Sequence, residues 1–119
     1  MDSKKEFIGR CREANRSFLR RHKCLIEYQR NSKNQKVGVV IAFGEGSGFR
    51  IGYSKCNVTL EKFDKQIGLA KAIQNAYTTW HENEPPNSMR RLIKKMLARS
   101  NLYFKTFIHE VEGFSDESK

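Results

Sequence analysis

The stretch that constrains this chain most is Lys36–Phe43, KVGVVIAF. It is rich in β-branched residues and nearly continuous in apolar character. The alternation of a half-exposed strand is absent, so the run reads as a central strand buried on both faces. Partners lie on either side of it. Cys24–Tyr28 (CLIEY) precedes it across the polar turn Asn31-Ser32-Lys33-Asn34. Phe49–Lys55 (FRIGYSK) follows it across Gly44-Glu45-Gly46-Ser47-Gly48. In this last strand Phe49, Ile51 and Tyr53 face one way, and Arg50, Gly52 and Ser54 the other. The reading is a three-stranded antiparallel meander.

Helical periodicity flanks the meander. From Ser3 to about His22, Phe7, Cys11, Ala14 and Phe18 recur at i, i+4, i+7 and i+11, with Ile8 and Leu19 widening the stripe. From about Thr59 to Glu82, Phe63, Ile67, Ala70, Ile73, Ala76, Tyr77 and Trp80 build a second apolar face, with Thr59 or Asp64 as N-cap. Gly68 inside that helix costs about 1 kcal/mol against Ala, which close packing on the sheet can offset. Pro85-Pro86 closes the segment. Asn87 or Ser88 then caps a helix whose buried stripe is Met89, Leu92, Ile93, Met96 and Leu97, with Asn101 as its stop signal. Residues 102–111 read equally as helix or strand, and 112–119 as a frayed tail.

The expected fold class is therefore α+β, a three-stranded antiparallel sheet packed with two or three helices in the order α-β-β-β-α-α. Its 119 residues suit a single domain spanning 1–119. The stripes are expected to converge on one core, with Ile41, Ile51, Ile67, Ile73 and Leu92 buried together.

Composition narrows the function classes. Hydrophobic residues make up 38% of the chain, and no run approaches the roughly 18 apolar residues of a membrane span. The three cysteines, Cys11, Cys24 and Cys56, are odd in number and widely spaced. With no apolar signal segment near the start, they read as free thiols in a cytoplasmic protein. There is no CxxC or HxxxH pair, so neither a metal nor another cofactor is expected. The glycine-rich Gly44–Gly48 segment lacks the following helix that a phosphate cradle requires, and reads as a hairpin turn. His22, His81 and His109 sit in separate segments, outside any nucleophile motif. The expectation is a non-enzymatic protein. The enzymatic alternative is a small basic ribonuclease using Glu27, Arg50 and Tyr53 on adjacent strands.

Charge is the strongest signal. Lys plus Arg is 23 against 13 Asp plus Glu, a net charge of +10. Residues 1–60 hold 13 of the basic residues against 5 acidic ones, so the positive field belongs mainly to the first half. Arg12, Arg16 and Arg20 stand at i, i+4 and i+8 on the first helix, followed by Arg21. Arg90, Arg91, Lys94 and Lys95 form a second cluster on the last helix, and Arg50 and Lys55 add charge on a strand. Such rows suit nucleic-acid phosphates or an acidic groove on a protein surface, with no membrane involved. Tyr28 and Tyr53 are the aromatics placed to stack on bases. Oligomeric state is left open by the sequence.

One stretch carries a family resemblance. Val39-Val40-Ile41-Ala42-Phe43, then FRIGYSKCN at 49–57 and EKFDKQIGLAKAIQNA at 61–76, resembles a pattern in small phage and prophage proteins. Its matching residues are Gly52, Ser54, Cys56 and Asn57 at the strand end, then Phe63, Asp64, Gly68, Ala72 and Ala76 through the helix. The resemblance covers about a third of the chain. It implies a phage-encoded protein acting on host machinery or host defence, an anti-CRISPR type of inhibitor among the options. The positive charge disfavours a DNA mimic, which would be acidic.

Overall fold

The computed structural model describes residues 2–46, 48–56, 62–78 and 87–117, apart from the side chains of 2, 78 and 105–117. The element order is α1 (Asp2–Arg21), β1 (Cys24–Arg30), β2 (Lys36–Glu45), β3 (Gly48–Lys55), α2 (Lys65–Thr78) and α3 (Asn87–Glu117). The fold is α+β, in the expected α-β-β-β-α-α order. No helix among the described residues is long and apolar enough to cross a membrane.

The sheet has the order β1-β2-β3, with both pairings antiparallel. The apolar run in β2 is buried throughout, from Val37 to Phe43. Its neighbours explain why. On one face Val39, Ile41 and Phe43 pack with Phe18 of α1 and with Leu69, Ala72 and Ala76 of α2. On the other face Val40 and Ala42 pack with Ile51 of β3 and with Met89, Ile93, Met96 and Phe104 of α3. The molecule is thus three layers deep: α1 and α2, then the sheet, then α3.

This corrects the expectation of a single core. Ile41 lies opposite Gly52, whereas Ile51 lies opposite Ala42. Residues opposite one another share a face and successive residues alternate, so Ile41 and Ile51 are on different sides of the sheet. Ile73 packs against the cluster that holds Ile41, while Leu92 packs against the one that holds Ile51. Ile67 is half-buried in neither cluster and lines a cavity at the start of α2.

Three helix readings also shift. In α1 the buried positions are Cys11, Asn15 and Phe18, whereas Phe7 and Ala14 are exposed. The face turns toward Asn15 because its amide nitrogen donates to the Gln66 backbone carbonyl at 2.9 Å and to Gln66 Oε1 at 3.0 Å. α2 starts at Lys65, with Asp64 as its cap: Asp64 Oδ1 accepts from the N–H groups of Gln66 (2.9 Å) and Ile67 (3.0 Å). Thr59, Trp80 and Pro85-Pro86 lie outside the described residues. In α3 the expected stop at Asn101 does not occur. Asn101 is exposed, and the buried stripe continues through Met96, Ser100 and Phe104. An exposed Asn costs less than about 1 kcal/mol inside a helix, and burying a phenylalanine gains about 1.5–3 kcal/mol. The helix therefore runs on.

Of the 39–76 pattern, Gly52, Ser54, Phe63, Gly68, Ala72 and Ala76 meet where β3 and the start of α2 come together, and Asn57 lies outside the described residues. A Cβ at Gly52 would stand 2.7 Å from the Cβ of Ala76, so the bare strand lets the helix approach. Ser54 Oγ donates to the Gly68 carbonyl at 2.7 Å. At Gly68 a Cβ would meet the Phe63 ring at 2.8 Å. The close packing that offsets the cost of Gly68 is this strand–helix seam.

Candidate functional site

The ten basic residues singled out from sequence do not form one patch. Arg12, Arg16, Arg20 and Arg21 are exposed on α1, on one side of the sheet. Arg90, Arg91, Lys94 and Lys95 are exposed on α3, on the other. Arg50 and Lys55 also point to opposite faces and are engaged locally. Arg50 pairs with Glu45 across the hairpin and lies 5.0 Å from the centre of the Tyr77 ring. Lys55 donates to Ser88 Oγ, tying β3 to the start of α3. Lys95 and Arg99 reach Glu27 of β1 at 3.6 and 3.1 Å.

On the α1 side the basic row borders an open groove of about 590 Å³ between α1, β1 and α2. Leu19, Ile26 and Leu69 supply its apolar lining. Arg12, Arg16 and Lys65 supply its charge, and no acidic residue lines it. Arg16 leans toward Glu13 at 3.8 Å, an exposed contact of small energetic weight. Arg12, Arg20 and Lys65 have no ion-pair partner among the described residues.

Tyr28 adds the aromatic element. It lines the groove, with the Lys36 ammonium 4.4 Å from its ring centre, and burial pushes its hydroxyl above the ordinary tyrosine range. The hydroxyl therefore stays protonated and available as a hydrogen-bond donor near neutrality. Tyr53, the other aromatic marked for stacking, is half-buried under α3 on the opposite face. Within the groove lining Tyr28 is thus the one aromatic.

The ribonuclease trio is not assembled. Glu27 and Tyr53 both lie opposite Val40, so they share the α3 face, separated by the width of β2. Arg50 lies opposite Phe43, on the other face. His22 stacks on Phe18 at a ring distance of 4.0 Å, and its Nδ1 lies 3.1 Å from the Phe18 carbonyl oxygen. His81 is outside the described residues, as is the side chain of His109. No cluster of three or more potential metal ligands occurs among the described residues. In the glycine-rich segment Glu45 lies opposite Gly48 in antiparallel pairing and Gly46 has a φ of 58°, so a strand follows the glycines where a phosphate cradle needs a helix.

Sequence reasoning missed Lys65 and Asn15. Lys65 carries no periodic signal of its own. Asn15 was visible as the polar residue at i+4 from Cys11 and i−3 from Phe18, a position that faces a neighbour. Comparison with known proteins finds no match to a family model, a curated protein or a solved structure.

Proposed function

We propose that this chain is a non-enzymatic binding protein that holds a nucleic-acid strand along α1. The observation that carries the reading is the groove itself: three cations, an apolar lining, one tyrosine and no carboxylate. Cations track phosphates and release counterions, and a tyrosine offers a face to a base. The resemblance to small phage proteins adds the setting. In this reading the protein is phage-encoded and inhibits or redirects a host or defence nucleic-acid-processing complex, as an anti-CRISPR type of protein would.

A contact to that complex falls naturally to α3, on the other side of the sheet. There Arg91 and Lys94 share the outer surface with exposed Leu97. Mixed basic and apolar character suits an acidic protein groove. A plain DNA- or RNA-binding accessory protein would need only the α1 face. The distinguishing experiment is a pull-down from host lysate before and after nuclease treatment. An inhibitor keeps its protein partner after treatment, and an accessory protein loses everything it brought down.

A further inference from the structure

A second cavity, of about 60 Å³, opens where β3 ends and α2 begins. Four lysines line it: Lys4 from α1, Lys55 from the end of β3, Lys62 from the segment before α2, and Lys71 from α2. Asp64 is the one acidic residue in the lining, and its Oδ1 is taken up by the first amides of α2. The helix end is therefore already capped, and the lysines carry the positive potential. Lys4, Lys62 and Lys71 have no ion-pair partner among the described residues. The Lys55 ammonium is held at Ser88 Oγ, so the three like charges of Lys4, Lys62 and Lys71, from three segments, repel one another around one small space, which a bound anion relieves.

We propose that this cavity binds a phosphoryl group. A single water needs about 10–15 Å³ of such space. The cavity thus has room for a tetrahedral oxyanion but falls far below the roughly 300 Å³ of a pocket for a whole organic ligand. Lysine ammoniums act as compact point charges with three donors each, suited to an anion that presents oxygens in several directions. The site shares no lining residue with the α1 groove, so it stands or falls independently of that reading.

The test titrates inorganic phosphate into the full chain at constant ionic strength, exchanging it for chloride, and follows backbone amide resonances. Saturable shifts are expected at Ser54 and Gly68. Lys62→Gln with Lys71→Gln should abolish them, while Lys62→Arg with Lys71→Arg should retain them. Arg12→Gln with Arg16→Gln should leave them unchanged. Shifts that never saturate, or that persist in the double glutamine variant, would overturn the site. A second arm compares an oligonucleotide carrying a 5′-phosphate with its 5′-hydroxyl twin. Roughly tenfold tighter binding of the phosphorylated strand, the weight of one charge-assisted hydrogen bond, assigns the site to a strand end. Equal affinities, with phosphate binding intact, assign it to a free phosphate compound.

Discussion

Gly52 in β3 and Ala72 in α2 meet backbone to backbone: a methyl group added at Gly52 would fall on the Ala72 carbonyl oxygen. The approach is possible only because that strand position lacks a side chain. Gly52→Ala should therefore destabilise the fold by about 1–3 kcal/mol or more, since neither backbone can yield cheaply. Gly9, within α1, is the control, because a Cβ there would meet nothing within 4 Å. Gly9→Ala should stabilise by about 0.5–1 kcal/mol through helix propensity. Denaturant melts of the two variants should move in opposite directions. A shift of the same sign would mean that α2 does not rest on Gly52.

Ser100 is fully buried on the inner face of α3, and its hydroxyl has no hydrogen-bond partner among the described residues. A buried hydroxyl left unpaired costs about 1–3 kcal/mol. Ser100→Ala removes the group while leaving little empty space. The expected result is unchanged or higher stability in denaturant melts, and a clear loss would reveal a partner for the hydroxyl.

The three thiols should separate by reactivity. Cys11 is buried, and burial pushes the Cys24 thiol up from 9.0 to about 11. Alkylation needs an accessible thiolate, so burial should slow Cys11 and the raised value should slow Cys24 at mildly alkaline pH. Cys56 is half-buried in the lysine-lined cavity and should react first. The raised value also carries a sign for stability. The protonated Cys24 is favoured in the folded state, so its contribution is complete below pH 9 and fades as the pH rises toward 11. Mass spectrometry of a timed alkylation, followed by full thiol counting after denaturation, checks both the order and the total of three.

Much of the architecture is legible in the residues, for physical reasons that also mark where legibility ends. The unbroken apolar run in β2 announces cover on both faces, and the alternation in β3 correctly separates Phe49, Ile51 and Tyr53 from Arg50, Gly52 and Ser54. Pairing register is another matter. Placing Ile41 opposite Gly52 goes with pairing Glu45 to Gly48, a detail that composition does not encode. The length of α3 was hidden because Asn101 looks like a stop, whereas the buried positions of Ser100 and Phe104 depend on a sheet distant in sequence. The basic residues were visible as rows on their helices. Their division between the two sides of the sheet, and the recruitment of Lys65 to the α1 groove, come from tertiary packing alone.

Glu27 distinguishes a structural carboxylate from a catalytic one. It receives both Lys95 and Arg99 of α3 while its own side chain is largely covered. Glu27→Gln should cost about 1 kcal/mol, with the loss shrinking at high salt. Binding through α1 should not change, because Glu27 lies on the opposite face. Loss of an RNA-cleaving activity in a stably folded variant would instead make Glu27 a catalytic base.

The central claim is that α1 is the contact face for a polyanion, and the most direct measurement is the salt dependence of nucleic-acid affinity in Arg12→Glu with Arg16→Glu. Both side chains are exposed, so the variant should fold normally, and its affinity should collapse. Milder Arg→Gln replacements should flatten the plot of log affinity against log salt by about 0.7–0.9 for each phosphate no longer neutralised. A folded double glutamate variant that binds with unchanged affinity and an unchanged salt slope would contradict the account.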